Sequence, residues 1–296
     1  MRIKKVIKTI IGEKNANSIR KTFYLKELRD NKELSDNICS NNTFYNKYKD
    51  KRCFILGNGP SLKKVDFSLL QDEIVFTVNN FSKVKDFELV KPDYHLWIDP
   101  AFFNLRDDMK YDMDEVLKSY KAMKSVNPVC FVPDFSYDFI KSNKIDEYLD
   151  IHYLAIFDTI EKINLCSENF NISSLIPSMT TVVQYAIAIA IYMGFKEIYL
   201  LGCDTTGIQI TINCALEFKN DNMHAYGNDN SENEIRGLLN NWSMSRVFYD
   251  QYILFLGYEK IYEYCKQNKI HLVNCSEPTL ITSIPKMKFS DVISQK

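Results

Sequence analysis

From residue 52 onward the chain alternates short, wholly apolar runs with stretches of helical periodicity, and that alternation limits the folds open to it more than any other feature. Strand candidates at 53–56, 74–78, 94–98, 128–132, 151–154, 197–202 and 270–274 are separated by helix candidates at 62–71, 112–124, 135–143, 180–193 and 243–268. A sheet with one wet face would alternate apolar and polar residues. Runs that are apolar throughout are buried on both faces, as parallel strands between two helix layers are. The expectation is a doubly wound, mostly parallel α/β sheet.

A chain of 296 residues with 46% hydrophobic content is long enough to bury such a core in one domain. Its formal net charge of -1 argues against a general nucleic-acid-coating role. Eight cysteines contain no C-x-x-C pair, and Cys53, Cys130 and Cys203 sit inside apolar runs where a reduced thiol packs as a small hydrophobe. With no signal peptide in front, this reads as a cytoplasmic chain without a disulfide framework. The four histidines share no metal spacing with these thiols, so no metal site is expected. No apolar run reaches the length of a membrane span; the longest, 182–193, ends at Gly194 and reads as a buried helix.

Residues 1–50 differ from the rest and read as a basic amphipathic extension and linker, with the main domain covering 51–296. Within residues 1–30, Lys and Arg interleave with Ile, Val, Phe and Leu at roughly helical spacing. Such a segment either lies on an anionic bilayer, here the inner face of the membrane, or packs as an ordinary solvated helix.

Open parallel sheets bind ligands beyond the carboxyl ends of their strands. That rule selects Gly57–Ser61, Asn79-Asn80, Asp99-Pro100 and Gly202–Thr206, each small, polar or acidic and each directly following a strand candidate. In "ILGNGPSLKK" the two glycines allow a close backbone approach, Pro60 suits a first helical turn, and Asn58 and Ser61 offer hydrogen-bonding groups near exposed N–H groups. The pattern is neither G-x-G-x-x-G nor the Walker loop. A tight turn with no ligand is the plain alternative.

Four segments in order, "ILGNGPSLKKVDFSLL", "FTVNNF", "IYMGFKEIYLLGCD" and "FKNDNMHAYG", carry a family likeness. Over residues 52–290 the chain resembles the bacterial lipooligosaccharide sialyltransferases of glycosyltransferase family 42, and the related pterin-diphosphokinase-like proteins of surface-polysaccharide clusters. The resemblance implies a single Rossmann-like nucleotide-binding domain with a lid segment, a CMP-activated, sialic-acid-like donor, a cell-surface glycan or glycolipid acceptor, and no metal or other cofactor. It implies that Gly57, Asn58, Gly59 and Ser61 hold the nucleotide phosphate, that Asn79 contacts the donor, that Asp99 lies beside the nucleotide, and that His224 is the general base. An imidazole with a pKa of about 6.5 suits removal of a hydroxyl proton at neutral pH. The chain departs from the family pattern at "GCDTT", residues 202–206, which lacks a tyrosine, and at Thr180-Thr181-Val182, where the family has serine–glycine. Thr180 and Thr181 at a helix start, and Asp204 after a strand, are therefore added as nucleotide contacts.

His95, His152 and His271 fall in strand patterns and read as structural. Asp112-x-Asp114 opens a helix, where acidic residues complement the macrodipole, and is not read as a metal motif. Three other functions stay open: an ATP- and magnesium-dependent diphosphokinase using Asp99 and Asp204, a CDP-linked sugar- or polyol-phosphate transferase, and a non-catalytic nucleotide-binding module. A second copy of the chain is admitted as a partner.

Overall fold

The computed structural model describes residues 13–106, 111–216, 225 and 242–294, with side chains from residue 17 on. In chain order the helices are α1 (Glu13–Asp30), α2 (Lys32–Ser40), α3 (Phe87–Val90), α4 (Met113–Met123), α5 (Tyr137–Ser142), α6 (Val182–Tyr192), α7 (Gly207–Ala215), α8 (Met244–Gln267) and α9 (Phe289–Ile293). The strands are β1 (Arg52–Leu56), β2 (Ile74–Val78), β3 (Tyr94–Leu96), β4 (Val129–Pro133), β5 (Asp150–Thr159), β6 (Leu175–Ser178), β7 (Glu197–Leu201) and β8 (His271–Asn274). They form one eight-stranded sheet in the order β6-β5-β4-β3-β2-β1-β7-β8. Every described strand pair is parallel. The chain runs outward from β1 to β6, then returns through α6 to place β7 on the other side of β1. The β1–β7 junction is therefore the point where strand order reverses.

The expected α/β sheet is present. Layers cover both faces: α6, with Val183 to Ala190 all buried, and α8 pack on one side, while α2, α4 and the β4–β5 connection build a second core on the other. Three local expectations change. Residues 62–71 form two separate 3-10 turns, Pro60–Lys64 and Phe67–Leu70, because Val65 and Asp66 are extended and the Asp66 side chain accepts from the Ser68 N–H at 3.0 Å to start the second. β5 runs past the expected 151–154, since residues 150–154 pair with β4 while Ala155, Ile156 and Thr159 pair with β6. β6 was not expected at all: "LIPS" is four residues long and contains Pro177, which is tolerated at a sheet edge.

Residues 31–44 are built into the sheet's flank. Leu34 and Ile38 of α2 are buried in the second core. Where the first half of β5 has no strand beyond it, two asparagines satisfy its backbone. Asn37 donates to the Ile151 carbonyl at 2.9 Å and accepts from the Tyr153 N–H at 2.8 Å. Asn41 donates to the carbonyls of Tyr153 and Ile172 at 2.8 and 3.0 Å. The folded unit thus begins before the boundary at residue 50, with Tyr24 of α1 also donating to Asp134 at 2.7 Å. No helix among the described residues is long and apolar enough to cross a membrane. The first twelve residues, and all of the segment around His224 except Ala225, lie outside the described residues.

Candidate functional site

At the β1–β7 junction two turns interlock. The Gly57 N–H donates to the Leu201 carbonyl and the Gly59 N–H to the Gly202 carbonyl, both at 2.8 Å. A Cβ added to Gly57 would lie 2.4 Å from the Gly202 oxygen, and one on Gly59 would lie 2.6 Å from Cγ of Asp204. Gly202 itself has a φ of +63°, a conformation that a side chain disfavours. The glycines of the β1 turn thus make room for the neighbouring protein turn, where the sequence suggested room for a ligand.

Ser61 departs from its expected role for the same reason. It is buried, its N–H donates to Asp204 Oδ2 at 2.8 Å, and its hydroxyl donates to Asp204 Oδ1. Asp204 is 2% exposed; burial raises its carboxyl pKa, and the two bonds from Ser61 oppose that rise. Both residues brace the junction from within. With Pro60 lacking an N–H and the Leu62 N–H given to Gly59, the turn leaves only the Asn58 N–H without a partner among the described residues. The N–H groups of Gly57, Gly59 and Ser61 are thus given to the protein itself.

The turns instead form a wall of a cavity of about 420 Å³ over the carboxyl ends of β1, β2 and β7, a volume within the range of small-ligand sites. Gly57, Asn58, Gly59, Asn79, Thr181 and Asp204 line it. A second cavity of about 440 Å³ continues beyond β3 and holds Asp99, Thr180, Arg106 and Ser178. Asn79, Thr181 and Val182 face both. The sequence-selected residues that are described therefore gather in one groove, except that Ser61 lies behind its wall and Asp99 and Thr180 belong to the second cavity only.

Two side-chain acceptors are left over for a ligand. Asn58 Nδ2 donates to the Val78 carbonyl at 2.9 Å, which turns its oxygen the other way, and that buried oxygen has no partner among the described residues. The Asn79 side-chain oxygen is likewise buried and unpartnered. Positive potential comes from two helix starts. α6 begins after Thr181, whose hydroxyl accepts from the Val183 N–H at 3.4 Å. α7 begins after Thr205, which has a φ of +56°, and Thr206; a Cβ on Gly207 would meet nothing within 4 Å. Both starts line the first cavity, where backbone N–H groups and the macrodipole favour an anion. Asp99 holds the Ala101 N–H at 2.9 Å and lies 3.8 Å from an Arg106 nitrogen. Asp112 accepts from the Asp114 N–H at 3.0 Å as a helix cap, as expected, although it also lines the first cavity.

Several contributors escaped sequence reading. Tyr258 of α8 is buried yet reaches the first cavity with its hydroxyl beside those of Thr181 and Thr205. Gln184, the polar break in the apolar α6, accepts from the Thr180 N–H at 3.1 Å and donates to the Leu254 carbonyl at 2.9 Å. It passes over Gly257, where a Cβ would come within 2.6 Å of its nitrogen. From the segment after β8, Ser276 accepts from the Cys203 N–H at 2.7 Å and Thr279 donates to the Cys203 carbonyl at 2.9 Å, fixing the second turn. A polar residue inside an apolar helix was the one visible signal. His224 lies outside the described residues; the next residue, Ala225, donates its N–H to the Asn58 carbonyl at 2.9 Å.

Known proteins provide three comparisons. The chain overlaps two sialyltransferase structures of Campylobacter jejuni. One is CstII in complex with cytidine-5'-monophosphate, at 19% identity and a TM-score of 0.43, covering 81% of this chain and 85% of that one. The other is the monofunctional alpha-2,3-sialyltransferase Cst-I, at 18% identity and a TM-score of 0.45, covering 80% and 79%. No curated protein matches. A family model described as 6-hydroxymethylpterin diphosphokinase MptE-like matches residues 24–209, more than half of the chain, and the chain belongs to the MptE-like family.

Proposed function

We propose that this protein is a glycosyltransferase that binds a CMP-activated, sialic-acid-like sugar in the groove at the β1–β7 junction and transfers the sugar to a hydroxyl of a cell-surface glycan or glycolipid. The carrying observation is the pair of adjoining cavities that share Asn79, Thr181 and Val182 as a common wall. One compartment accommodates the nucleotide and the other the acceptor, with the scissile bond at the shared wall.

The reaction needs three things from the chain. The departing CMP phosphate gains charge as the sugar–phosphate bond breaks, and the α6 and α7 starts with Thr181, Thr205 and Tyr258 supply donors for it. Asn58 and Asn79 accept hydrogen bonds from the nucleoside or sugar through their free oxygens. As the acceptor oxygen bonds to the anomeric carbon, its proton passes to the His224 imidazole; the Ala225–Asn58 bond supports a place for that loop beside the nucleotide. No metal is assigned a role.

The family's description favours a second reading, diphosphoryl transfer from ATP. Such chemistry uses magnesium held by carboxylates. Asp204 is committed to Ser61, and Asp99 faces the other cavity while capping Ala101. Among the described residues no group of three metal-ligating side chains is assembled.

Calorimetry and thermal shift with CMP, CDP, UDP, GDP and ATP, each with and without magnesium, separate the readings. Selective, metal-independent stabilisation by CMP supports glycosyl transfer. Magnesium-dependent ATP binding without a cytidine response replaces it with the kinase. A preference for CDP points to a CDP-linked donor.

A further inference from the structure

Behind the wall shared by the two cavities runs a short chain of buried polar groups. Thr77 of β2 and His95 of β3 are register partners, and both are fully buried. Thr77 Oγ1 lies 2.7 Å from His95 Nδ1, and His95 Nε2 lies 3.1 Å from the backbone oxygen of Asn79. A carbonyl only accepts, so Nε2 carries the ring proton, Nδ1 is left as an acceptor, and the Thr77 hydroxyl donates to it. Burial pushes the imidazole pKa down to about 3, so the ring stays neutral and this direction of donation is fixed near neutral pH. The Trp97 ring, with its centroid 4.0 Å from that of His95, holds the imidazole in place.

The chain ends on the residue whose geometry the groove most needs. Asn79 has a φ of +51°, an uncommon conformation for a residue with a side chain. It follows β2 directly and begins the 3-10 turn Asn79–Lys83. It lines both cavities and presents a buried oxygen with no partner among the described residues.

We infer that His95 is a positioning residue for ligand recognition: held by Thr77, it grips the Asn79 carbonyl and thereby sets the left-handed backbone that aims the Asn79 amide at the bound nucleotide sugar. The role is distinct from catalysis, since His95 has no exposure to the groove. It rests on the reading of the groove as a nucleotide site.

A double-mutant cycle on CMP affinity, with melting temperature recorded for each variant, tests the inference. Thr77→Val leaves the imidazole in place but removes the donor that selects its tautomer; His95→Leu removes the grip itself. Each is expected to weaken CMP binding by about tenfold, the scale of one lost hydrogen bond. Neither weakens binding further in an Asn79→Ala background, because the residue they act through is gone. His95→Gln, whose amide nitrogen still donates to the Asn79 carbonyl, recovers part of the loss. If His95→Leu fails to fold, Thr77→Val and Asn79→Ala complete the cycle alone. Additive losses in a protein that binds CMP overturn the positioning role and leave the functional reading intact. A wild-type protein that binds no CMP overturns both.

Discussion

The backbone of Gly57 and that of Gly202 touch so closely that neither position accepts a side chain: a Cβ on Gly57 would lie 2.4 Å from the Gly202 oxygen, and one on Gly202 would lie 2.6 Å from the Gly57 oxygen. This contact joins the two turns at which the sheet reverses its strand order. Gly57→Ala and Gly202→Ala should each destabilise the protein by about 1–3 kcal/mol through overpacking, with a further ~1–2 kcal/mol at Gly202 for its positive φ. Urea unfolding at neutral pH reads both losses. A Gly57→Ala protein of wild-type stability would show that the turns separate cheaply.

Asp204→Ala strips the partner from two buried donors of Ser61. The expected cost is about 1–3 kcal/mol for each donor left unsatisfied. Burial raises the folded pKa of Asp204 above its ordinary 3.8. The folded protein therefore binds that proton more tightly than the unfolded chain, and the contribution of Asp204 to stability declines as pH rises from about 3.8 through the raised value. The variant should lose that segment of the pH–stability curve, which unfolding at closely spaced acidic pH values would display.

His95 has the opposite sign. Its folded pKa falls to about 3 through burial, while the unfolded imidazole titrates at about 6.5. Below pH 6.5 the unfolded chain takes up a proton that the folded protein refuses. Stability present above pH 6.5 is thus lost as pH falls toward 3, with a slope near 1.4 kcal/mol per pH unit from this residue. His95→Gln should flatten the slope by one proton between pH 6 and 4.

Asn41→Leu removes the bonds to the Tyr153 and Ile172 carbonyls and leaves two buried acceptors on the sheet's flank. A loss of roughly 2–4 kcal/mol is expected, with CMP affinity unchanged in the folded fraction. Hydrogen exchange should localise the opening to β5. A shift confined to residues before 50 would instead mark that region as separately folded.

His224→Ala tests the general base. Transfer to acceptor should fall by about 10²–10⁴-fold, while CMP binding by calorimetry stays within about twofold. Undiminished transfer would remove His224 from the mechanism and move attention to other groups of the groove.

The apolar strand runs and the polar residues that end them were legible because they are local. Burial on both faces of a parallel sheet demands continuous Val, Ile, Leu and Phe, and the carboxyl-end rule then selects Asn58, Asn79, Asp99 and Asp204 without knowledge of any contact. The 3-10 split at Val65-Asp66 and the edge strand β6 were not legible, since "SLKKVDFSLL" has a helical pattern and "LIPS" is too short and proline-broken to declare itself. An aspartate's competing hydrogen bond decided the first and the free edge of β5 the second.

The sequence by itself determined the layered architecture and the set of loops from which a site is made, because hydrophobic periodicity depends only on near neighbours. Only the tertiary structure decided what each of those residues does. Ser61 and Asp204 are 143 residues apart and meet as a buried pair, so a serine that looks poised for phosphate is a brace. Gly57 and Gly59 read as openings toward a ligand until β7 is placed against them. His95, an ordinary strand residue in one dimension, becomes the support of Asn79 once β2 and β3 lie in register. Pairings of this kind are fixed by the mutual packing of distant strand ends, which no local pattern encodes.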